Sequence, residues 1–350
     1  MNGSTASASA DFPEADGRLL LVSPNWIGDC VMAMPSIQAW RAAHPYHHLS
    51  ILCRPGVADL WRMHVAPDSV LVYRKGWTTT WESVRELRAM RFDACVIFPN
   101  SFRSAWLPWA GRIPNRAGFR GHWRRWLLTD VRPAGEGDHR HQAWEGYRLF
   151  HLPRPEQLPP PALAVPEAAV TAAGEWLSGH GAYRWVGLMP GAARGPSKRW
   201  PLNSFLALVR RLVDEANVRI AICGGPDDAE ACEALAREAG TAGRNLCGKT
   251  GVSEWAAILQ LCDVVVCNDS GGMHLAAAVG VPVVALFGLT DPERTGPLGD
   301  RATLLRGSDR GDRSIARQSM AAEKALASIT PQTVYDAVMS WILRPDRPLQ

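Results

Sequence analysis

The chain has 350 residues, of which 47% are hydrophobic and 21% are charged, and its formal net charge is +4. This length is too great for one comfortable hydrophobic core, so we expect two domains. No apolar run reaches about eighteen residues, which excludes a membrane-spanning helix, and the mild positive charge does not favour nucleic-acid binding by the whole chain. Several of the eight cysteines lie in apolar strand-like runs without C-x-x-C spacing, which is typical of reduced thiols in a cytoplasmic protein.

The first half alternates strand and helix patterns. Residues 1–16 are rich in Ser and Ala, without a basic start or an apolar core, and predict a disordered tail rather than a secretory signal. An apolar strand at 18–23 is followed by a polar turn at 24–29 and a helix from Cys30 to Trp40. The same patterns predict strands at 49–52 and 94–98 and a helix at 81–90. This alternation indicates a parallel sheet covered by helices.

Six prolines between His151 and Pro166 mark a boundary, and a second βα series follows. Its predicted elements are strands at 185–189, 219–223, 264–267 and 281–287 and helices at 201–215 and 330–343. We therefore expect an α/β protein with two Rossmann-like doubly wound domains that face a cleft, the N-terminal one at 17–160 and the C-terminal one at 161–330. A C-terminal helical segment at 331–350 is expected to pack back on the N-terminal domain.

A strand–turn–helix in the second half is a candidate anion site. The strand Val264–Cys267 ends at the turn 268–272, and the helix is predicted to start near Met273. The free N–H groups and the positive dipole end of a helix start favour an anion. Asp269 and Ser270 suit either helix capping or hydroxyl binding. An ordinary capped turn is an equally good interpretation of this motif alone.

Two further features follow strands of the same predicted sheet. The loop 190–201 combines glycines with Lys198 and Arg199, and Gly224 and Gly225 precede Asp227 and Asp228. Glycines, cations and a helix start suit a diphosphate, and a carboxylate suits a ribose diol. Together the three features predict a nucleotide diphosphate ligand. Solvated surface charge for the two cations and helix capping for the two carboxylates stay open as alternatives.

Asp29 is the candidate catalytic group of the first half. It follows a strand and Gly28 at a predicted helix start, where the helix dipole keeps a carboxylate ionised. Such a carboxylate can accept a proton from an attacking hydroxyl, although a plain helix cap is the alternative. The chain has no Asp-x-Asp, a common metal–diphosphate signature. We therefore expect no metal and no cofactor, with Lys198 and backbone N–H groups stabilising the leaving group.

A basic aromatic segment spans Arg103 to Trp126. It holds six arginines and four tryptophans and no acidic residue. Arginine binds phosphates through two hydrogen bonds, and tryptophan favours the water–lipid boundary. The segment fits an anionic lipid, a phosphorylated glycan or a nucleic acid, and equally a set of core tryptophans among surface arginines.

Taken together, the motifs resemble the bacterial lipopolysaccharide heptosyltransferases of glycosyltransferase family 9, in particular the heptosyltransferase II type. The resemblance runs from about Arg18 to the C-terminal helix. The segments that carry it are 23–29 (SPNWIGD), 98–105 (FPNSFRSA), 116–121 (RAGFRG), 190–192 (PGA), 198–201 (KRWP), 268–274 (NDSGGMH) and 329–331 (ITP).

The resemblance implies a GT-B fold and an enzyme. The implied reaction is inverting and metal-independent transfer of L-glycero-D-manno-heptose from ADP-heptose to the first heptose of the lipopolysaccharide inner core, heptosyl-Kdo2-lipid A. The alternatives are another glycosyltransferase of the family, such as heptosyltransferase I or III, and a non-catalytic nucleotide-sugar-binding protein. A nicotinamide oxidoreductase is disfavoured because Gly-x-Gly-x-x-Gly does not follow the first strand.

The implied site residues fall into three sets. The expected catalytic residues are Asp29 as base and Lys198. The expected donor-binding residues are Gly191, Ser197, Lys198, Arg199, Asp227, Asp228, Asp269, Ser270, Gly271, Gly272, Met273 and His274. The expected acceptor-binding residues are Asn25, Trp26, Asn100, Ser101, Arg103, Arg116 and Arg120.

The sequence departs from the family pattern at two places, and the resemblance also implies two binding partners. Gly272 stands where the family often has Leu, and we expect the change to alter the donor pocket. The segment 306–324 matches nothing in the resemblance. The expected partners are ADP-heptose and an anionic, lipid-linked inner-core acceptor, without nucleic acid. The expected location is the cytoplasm, with peripheral contact to the inner face of the inner membrane through 103–126.

Overall fold

The structure is a computed structural model that describes residues 17–121, 123–133, 141–177, 183–193, 195, 198–307 and 320–344. The chain forms two compact units, which divide at residue 157. His141 and Gln142 group with the second unit. The expected tail at 1–16 lies outside the described residues. No helix of the described part is both long and apolar enough to cross a bilayer.

The first unit is a parallel six-stranded sheet flanked by helices. Its strands are β1 (Arg18–Val22), β2 (His48–Cys53), β3 (Ser69–Val72), β4 (Ala94–Ile97), β5 (Asn115–Phe119) and β6 (Asp130–Arg132). Its helices are α1 (Ile27–Ala43), α2 (Ala58–Met63), α3 (Trp77–Met90), α4 (Phe102–Ala110) and α5 (Trp144–Leu149). The strand order is β3-β2-β1-β4-β5-β6, and all neighbours are parallel.

The second unit repeats this arrangement. Its strands are β7 (Trp185–Met189), β8 (Arg219–Ile222), β9 (Gly243–Asn245), β10 (Val264–Asn268), β11 (Val283–Phe287) and β12 (Ala302–Arg306). Its helices are α6 (Glu167–Leu177), α7 (Leu202–Ala216), α8 (Ala229–Ala239), α9 (Val252–Leu261), α10 (Gly271–Ala278), α11 (Pro292–Thr295), α12 (Met320–Ala327) and α13 (Pro331–Ile342). The order β9-β8-β7-β10-β11-β12 matches that of the first sheet, and its neighbours are also parallel.

The central strands explain why the apolar runs were easy to predict. Strands β1, β10 and β11 are buried along almost their whole length, because helices cover both faces of a parallel sheet. Such strands need apolar residues on both faces, so they appear as continuous runs of Leu, Ile and Val. The edge strands β3 and β9 are only half-buried and carry weaker patterns.

Several features differ from the predictions, and three of them bear on the site. Helix α10 begins at Gly271, two residues before the predicted start near Met273, so both glycines belong to its first turn. Pro201 precedes α7 as its cap residue rather than opening the helix. Strand β5 lies inside the basic aromatic segment, where its sequence NRAGF gave no strand signal. Pairing with β4 and β6 stabilises this strand, which local propensity would not.

The C-terminal helix contributes to the core of the second unit. The buried residues Val334, Val338 and Trp341 of α13 pack there with Phe205 and Leu212 of α7. Packing of this helix on the N-terminal domain stays a prediction. The spacing of the three residues by three or four positions forms the stripe that this core requires.

The strand order indicates which edge of each sheet is expected to bind a ligand. In each sheet the chain order reverses between the first and fourth strands of the unit, β1 and β4 or β7 and β10. Ligands of doubly wound sheets bind at the carboxyl ends of strands next to such a switch point. The segments that follow β1, β4, β7 and β10 contain Asp29 in the first turn of α1, the turn 99–101, the loop with Lys198, and the turn and helix start at 269–272. The sequence patterns predict functional residues in each of these segments.

Candidate active site

An ion pair joins the two turns at the switch point of the second unit. The Lys198 ammonium, from the loop after β7, donates to Asp269 Oδ2 in the turn after β10. Thr290 Oγ1 donates to the same carboxylate oxygen at 2.6 Å. The two charged side chains are 19% and 8% exposed, so the pair is largely shielded from water. Asp269 thus holds Lys198 at the sheet edge, and its side chain does not cap α10.

Asn268 fixes the loop that carries Lys198. This side chain is fully buried at the end of β10. Its Nδ2 donates to Pro190 O at 2.8 Å, and its Oδ1 accepts from the backbone N–H of Trp200 at 2.9 Å. The Trp200 ring is itself buried, stacks edge-on against Phe205 and donates through Nε1 to Ile329 O. Both ends of the loop are therefore anchored in the core of the second unit.

The two carboxylates after β8 have different surroundings. Asp228 Oδ2 accepts from the backbone N–H of Gly225 at 3.1 Å, and its Oδ1 accepts from Arg199 Nη2 at 3.1 Å. The position of Asp228 also explains why residue 191 is a glycine, because a Cβ at this residue would lie 2.1 Å from Asp228 Oδ2. Asp227, by contrast, is exposed. The capping alternative therefore describes Asp228, whereas the Asp227 carboxylate is open to solvent.

The first turn of α10 presents backbone rather than side chains. Ser270 occupies the cap position without a capping side-chain hydrogen bond. Met273 is fully buried, and a Cβ on Gly272 would lie 2.6 Å from Met189 Sδ and 2.9 Å from a ring carbon of Trp255. A side chain at position 272 would therefore face the packed contact with β7 and α9, and an effect of Gly272 on the donor pocket stays a prediction. What Gly272 and Met273 offer a ligand is their backbone N–H groups.

His274 is a buried neutral imidazole beside the ion pair. The residue is 4% exposed, and its Nδ1 has no hydrogen-bond partner among the described residues. Burial lowers the pKa of His274 to about 4, against the opposing attraction of Asp269. The ring is therefore uncharged near neutral pH and adds no positive charge to the Lys198 site.

In the first unit, a buried polar cluster shapes the turn before Asp29. Ser23 Oγ donates to Pro24 O at 2.6 Å and accepts from Trp61 Nε1 at 2.7 Å. Cys30 Sγ donates to the same Pro24 carbonyl at 3.4 Å. Helix α1 starts at Ile27, so Asp29 lies half-buried in its first turn, as predicted for a carboxylate at a helix start.

A pocket opens at the carboxyl edge of the first sheet. Three expected acceptor-binding residues line it, namely Asn25, Ser101 and Arg103. Arg54 and Tyr73 line it as well, although no sequence motif marks these two residues. Arg103 Nη1 donates to the Tyr73 hydroxyl at 3.1 Å. Burial alone would raise the pKa of Tyr73, but hydrogen bonds from Thr80 and Arg103 and the charges of Arg103 and Arg54 lower it below its usual value.

Arg124 donates hydrogen bonds to residues that line this pocket, and no sequence pattern indicated this role. The side chain is fully buried. It donates to Phe119 O at 2.6 Å, to Asn100 Oδ1 at 3.0 Å, to Ser104 Oγ at 3.3 Å and to Pro99 O. Burial lowers the pKa of Arg124 to about 10, so the guanidinium still carries its charge near neutral pH. One cation therefore ties the turn after β4 to the end of β5, and only three-dimensional proximity reveals it.

The other expected acceptor residues divide between surface and interior. Trp26 is 56% exposed, and Arg120 is exposed just beyond β5. Asn100 directs its Oδ1 to Arg124. Arg116 is half-buried, and its Nε donates to Leu127 O at 2.6 Å and its Nη1 to Pro114 O at 3.0 Å. These hydrogen bonds fasten the guanidinium to the backbone on either side of β5, and acceptor binding by Arg116 stays a prediction. Of the expected donor residues, Ser197 lies outside the described part of the chain.

Both units thus place their polar residues at a switch point, and the second presents a lysine and free helix-start N–H groups there. Two doubly wound units, one with a sheet edge suited to a nucleotide diphosphate, place the protein in the class of two-domain α/β proteins that can bind a nucleotide.

The chain belongs to glycosyltransferase family 9 (heptosyltransferase), whose family model matches residues 80–325. Lipopolysaccharide heptosyltransferase 2 of Escherichia coli strain K12 is 30% identical to it, over 94% of this chain and 99% of that protein. Lipooligosaccharide heptosyltransferase 2 of Haemophilus ducreyi is 31% identical, over 91% of this chain and 97% of that protein. The predicted family and the predicted glycosyltransferase class are confirmed.

Solved structures agree with this assignment. The E. coli ADP-heptose lipopolysaccharide heptosyltransferase II matches with a TM-score of 0.82 and 27% identity, over 94% of this chain and all of that one. The family 9 glycosyl transferase of Veillonella parvula has the same fold, with a TM-score of 0.83 and 23% identity over 95% and 99% of the two chains. The predicted α/β fold with two doubly wound domains is confirmed.

Proposed function

We propose that this protein transfers L-glycero-D-manno-heptose from ADP-heptose to the first heptose of the lipopolysaccharide inner core. The observation that carries the proposal is the Lys198–Asp269 ion pair at the switch point of the second unit. It presents a cation beside a helix start in a chain whose full-length relatives are named heptosyltransferase 2. An ammonium and free N–H groups suit the diphosphate of a nucleotide-sugar donor.

The donor site follows from the contacts of the second unit. Lys198 binds the diphosphate while Asp269 and Thr290 keep its ammonium at the sheet edge. The N–H groups at the start of α10 bind phosphate oxygens. Exposed Asp227 binds the ribose diol, whereas Asp228 keeps its contacts with Gly225 and Arg199. This arrangement assigns the ion pair to charge stabilisation and the loop after β8 to nucleoside recognition.

The chemical step uses Asp29 as general base. Its carboxylate accepts the proton of the acceptor hydroxyl as that oxygen forms a bond to the anomeric carbon of the donor heptose. The bond from the anomeric carbon to the β-phosphate oxygen breaks at the same time, and its electron pair leaves with ADP. Attack opposite the leaving group inverts the anomeric centre through an oxocarbenium-like transition state. Lys198 and backbone N–H groups stabilise the negative charge that develops on ADP, in place of a metal ion.

The pocket of the first unit suits an anionic acceptor. Arg54 and Arg103 line it, and Asn25 and Ser101 add polar groups for sugar hydroxyls. Guanidinium groups pair well with carboxylates and phosphates, the acidic groups of an inner-core glycolipid. The acceptor is lipid-linked in this proposal, so the enzyme works at the inner face of the inner membrane.

One experiment tests the proposal directly. The purified protein is incubated with ADP-heptose and inner-core acceptors that carry no heptose, one heptose or two heptoses, and the products are identified by mass and by the configuration of the new bond. We expect transfer only to the one-heptose acceptor, with inversion and without loss of rate when a chelator is added. Transfer to another acceptor would replace the proposed acceptor by that of another family member. Tight ADP-heptose binding without any turnover would identify a non-catalytic binding protein.

A further inference from the structure

The first unit carries an exposed aromatic surface that the catalytic proposal does not use. Its most exposed members are Trp77 at 81% and Trp126 at 62%, with Trp81, Phe102 and Trp109 each near 40%. We call these five residues together with Trp106 the aromatic surface. Large aromatic side chains are rarely left in water without a partner, so a contiguous group of them marks an interaction site.

Ring contacts make this surface continuous. Trp77 contacts Trp81, and Trp81 contacts Trp106, with ring centroids 6.2 and 6.1 Å apart. Trp126 contacts both Phe102 and Trp109, in each case at 6.0 Å. Phe102, Trp106 and Trp109 follow one another at intervals of four and three residues along α4, so they form one stripe of that helix. Helix α4 therefore joins the cluster on α3 to the cluster beside β5.

The charges around this surface are mainly positive. No acidic residue occurs between Asp93 and Asp130. Two of the six arginines of the segment 103–126, Arg116 and Arg124, are held inside the fold by backbone carbonyls. The other four, Arg103, Arg112, Arg120 and Arg125, are exposed. Helix α3 adds the exposed Glu82 and Glu86 together with Arg85 and Arg88, so its charges balance and the positive excess lies on the α4–β5 side.

We propose that the aromatic surface docks the enzyme on an anionic phospholipid bilayer. Tryptophan rings favour the boundary between headgroups and acyl chains, and arginines around them attract acidic headgroups. A second copy of the chain would bring the same positive excess to its partner, which charge repulsion disfavours. An acidic bilayer satisfies both the rings and the arginines.

Helix α4 links this surface to the acceptor pocket. Arg103, Ser104 and Leu107 of α4 line the pocket, whereas Phe102, Trp106 and Trp109 form its aromatic stripe. Docking through the stripe therefore brings the pocket to headgroup level, where the sugar of a lipid-linked acceptor lies. Only this last consequence rests on the proposed function; bilayer binding itself does not.

The test measures binding to vesicles, without any turnover. The full-length protein is sedimented with vesicles of phosphatidylethanolamine and phosphatidylglycerol, and with vesicles of phosphatidylcholine alone. We expect preference for the acidic vesicles and weaker binding at high salt. The variant Trp77→Ala/Trp126→Ala, one change in each cluster, should bind them about a hundredfold more weakly, about tenfold for each ring. Arg112→Glu/Arg125→Glu should lose the preference for acidic lipid.

Matched variants and a fold check make the result decisive. Tyr46→Ala/Trp176→Ala removes two other exposed aromatics, 84% and 38% exposed, and should bind vesicles like the unaltered protein. All variants should retain ADP binding and their thermal unfolding midpoint. Equal vesicle binding by the unaltered protein and the Trp77/Trp126 variant overturns the proposal. So does a dimer in sedimentation velocity that the same variant abolishes while vesicle binding is absent, because the surface would then join two copies of the chain. Neither result bears on heptose transfer to a water-soluble acceptor.

Discussion

The two units share one strand order, yet the cations at their functional edges have different hydrogen-bond partners. In the second unit the edge cations are paired with carboxylates, Lys198 with Asp269 and Arg199 with Asp228. In the first unit Arg103 is bonded to the neutral Tyr73 hydroxyl, and buried Arg124 is bonded to carbonyls, an amide and a hydroxyl. The same topology thus supports a balanced edge in one unit and a positive edge in the other.

This difference suggests a division of labour between the units. A paired lysine is held in place and has part of its charge neutralised, so it suits a compact diphosphate whose own charge completes the site. Arg103 lines the pocket and is bonded to a neutral hydroxyl, so in the proposed reaction its full charge is available to a larger anionic acceptor. In the proposed mechanism, Asp29 is the carboxylate that the first unit contributes to the chemistry. Changes to one edge should therefore alter catalysis or acceptor use, and changes to the other should alter donor affinity.

The largest expected effect comes from Asp29. Asp29→Asn keeps the size of the side chain but removes the base, so we expect turnover to fall by about a thousandfold. Affinity for ADP, measured by calorimetry, should stay unchanged because the donor site belongs to the second unit. Near-normal turnover in this variant would show that Asp29 is not the base. Weaker ADP binding would show that Asp29 also contributes to the donor site.

Arg124 should affect the first unit alone. Arg124→Lys keeps the charge but leaves several carbonyls without donors, and we expect a loss of about 3 kcal/mol of stability. The acceptor KM should rise, since the turn with Ser101 loses its anchor, while ADP affinity stays the same. Arg125→Lys, at the exposed neighbouring position, is the matched control and should be neutral in both measurements. An unchanged acceptor KM in a folded Arg124→Lys protein would argue against the supporting role.

Lys198 should affect the second unit alone. Lys198→Ala removes a charged hydrogen bond worth about 1.5–3 kcal/mol, so ADP should bind roughly ten- to a hundredfold more weakly and transfer should slow. Lys324→Ala, an exposed lysine on α12, serves as the control. If ADP affinity and rate both survive in Lys198→Ala, the ion pair is a structural feature only.

The smallest effect is a pH dependence expected in both units. Burial lowers the pKa of His64 to about 3 and that of His274 to about 4, below the unfolded value of about 6.5. Between these values the unfolded chain takes up protons that the folded protein does not. The stabilising contribution is therefore complete above about pH 6.5 and falls on acidification, by about 1.4 kcal/mol per pH unit for each histidine.

Denaturant unfolding at about pH 7 and about pH 5 measures this dependence. His64→Gln should flatten the slope for the first unit, and His274→Gln should do so for the second. Parallel pH profiles in the variants and the unaltered protein would show that burial does not lower the pKa of the two imidazoles.

The sequence was informative where local pattern and burial coincide. The buried strands β1, β7 and β10 appeared as apolar runs, and the glycines and polar residues after them marked both switch points. Asp29, Lys198 and Asp269 were selected on this basis, and the structure brings the last two together. Their catalytic and binding roles stay predictions. Arg54, Tyr73 and Arg124 were missed, because nothing near them in the chain indicates that β2, β3 and β5 end at the same edge.

The sequence by itself determined the alternation of strands and helices, the boundary near residue 160 and the polar turns that end the central strands, since these depend on neighbouring residues. Only the tertiary structure decided which of the chemically similar side chains reach the solvent. The guanidinium groups of Arg116 and Arg124 donate hydrogen bonds to backbone carbonyls, whereas Arg103 lines a pocket. Asp228 is held by Gly225 and Arg199, whereas Asp227 is exposed. The physical reason is that buried polar groups must find partners, and those partners come from strands far apart in the chain.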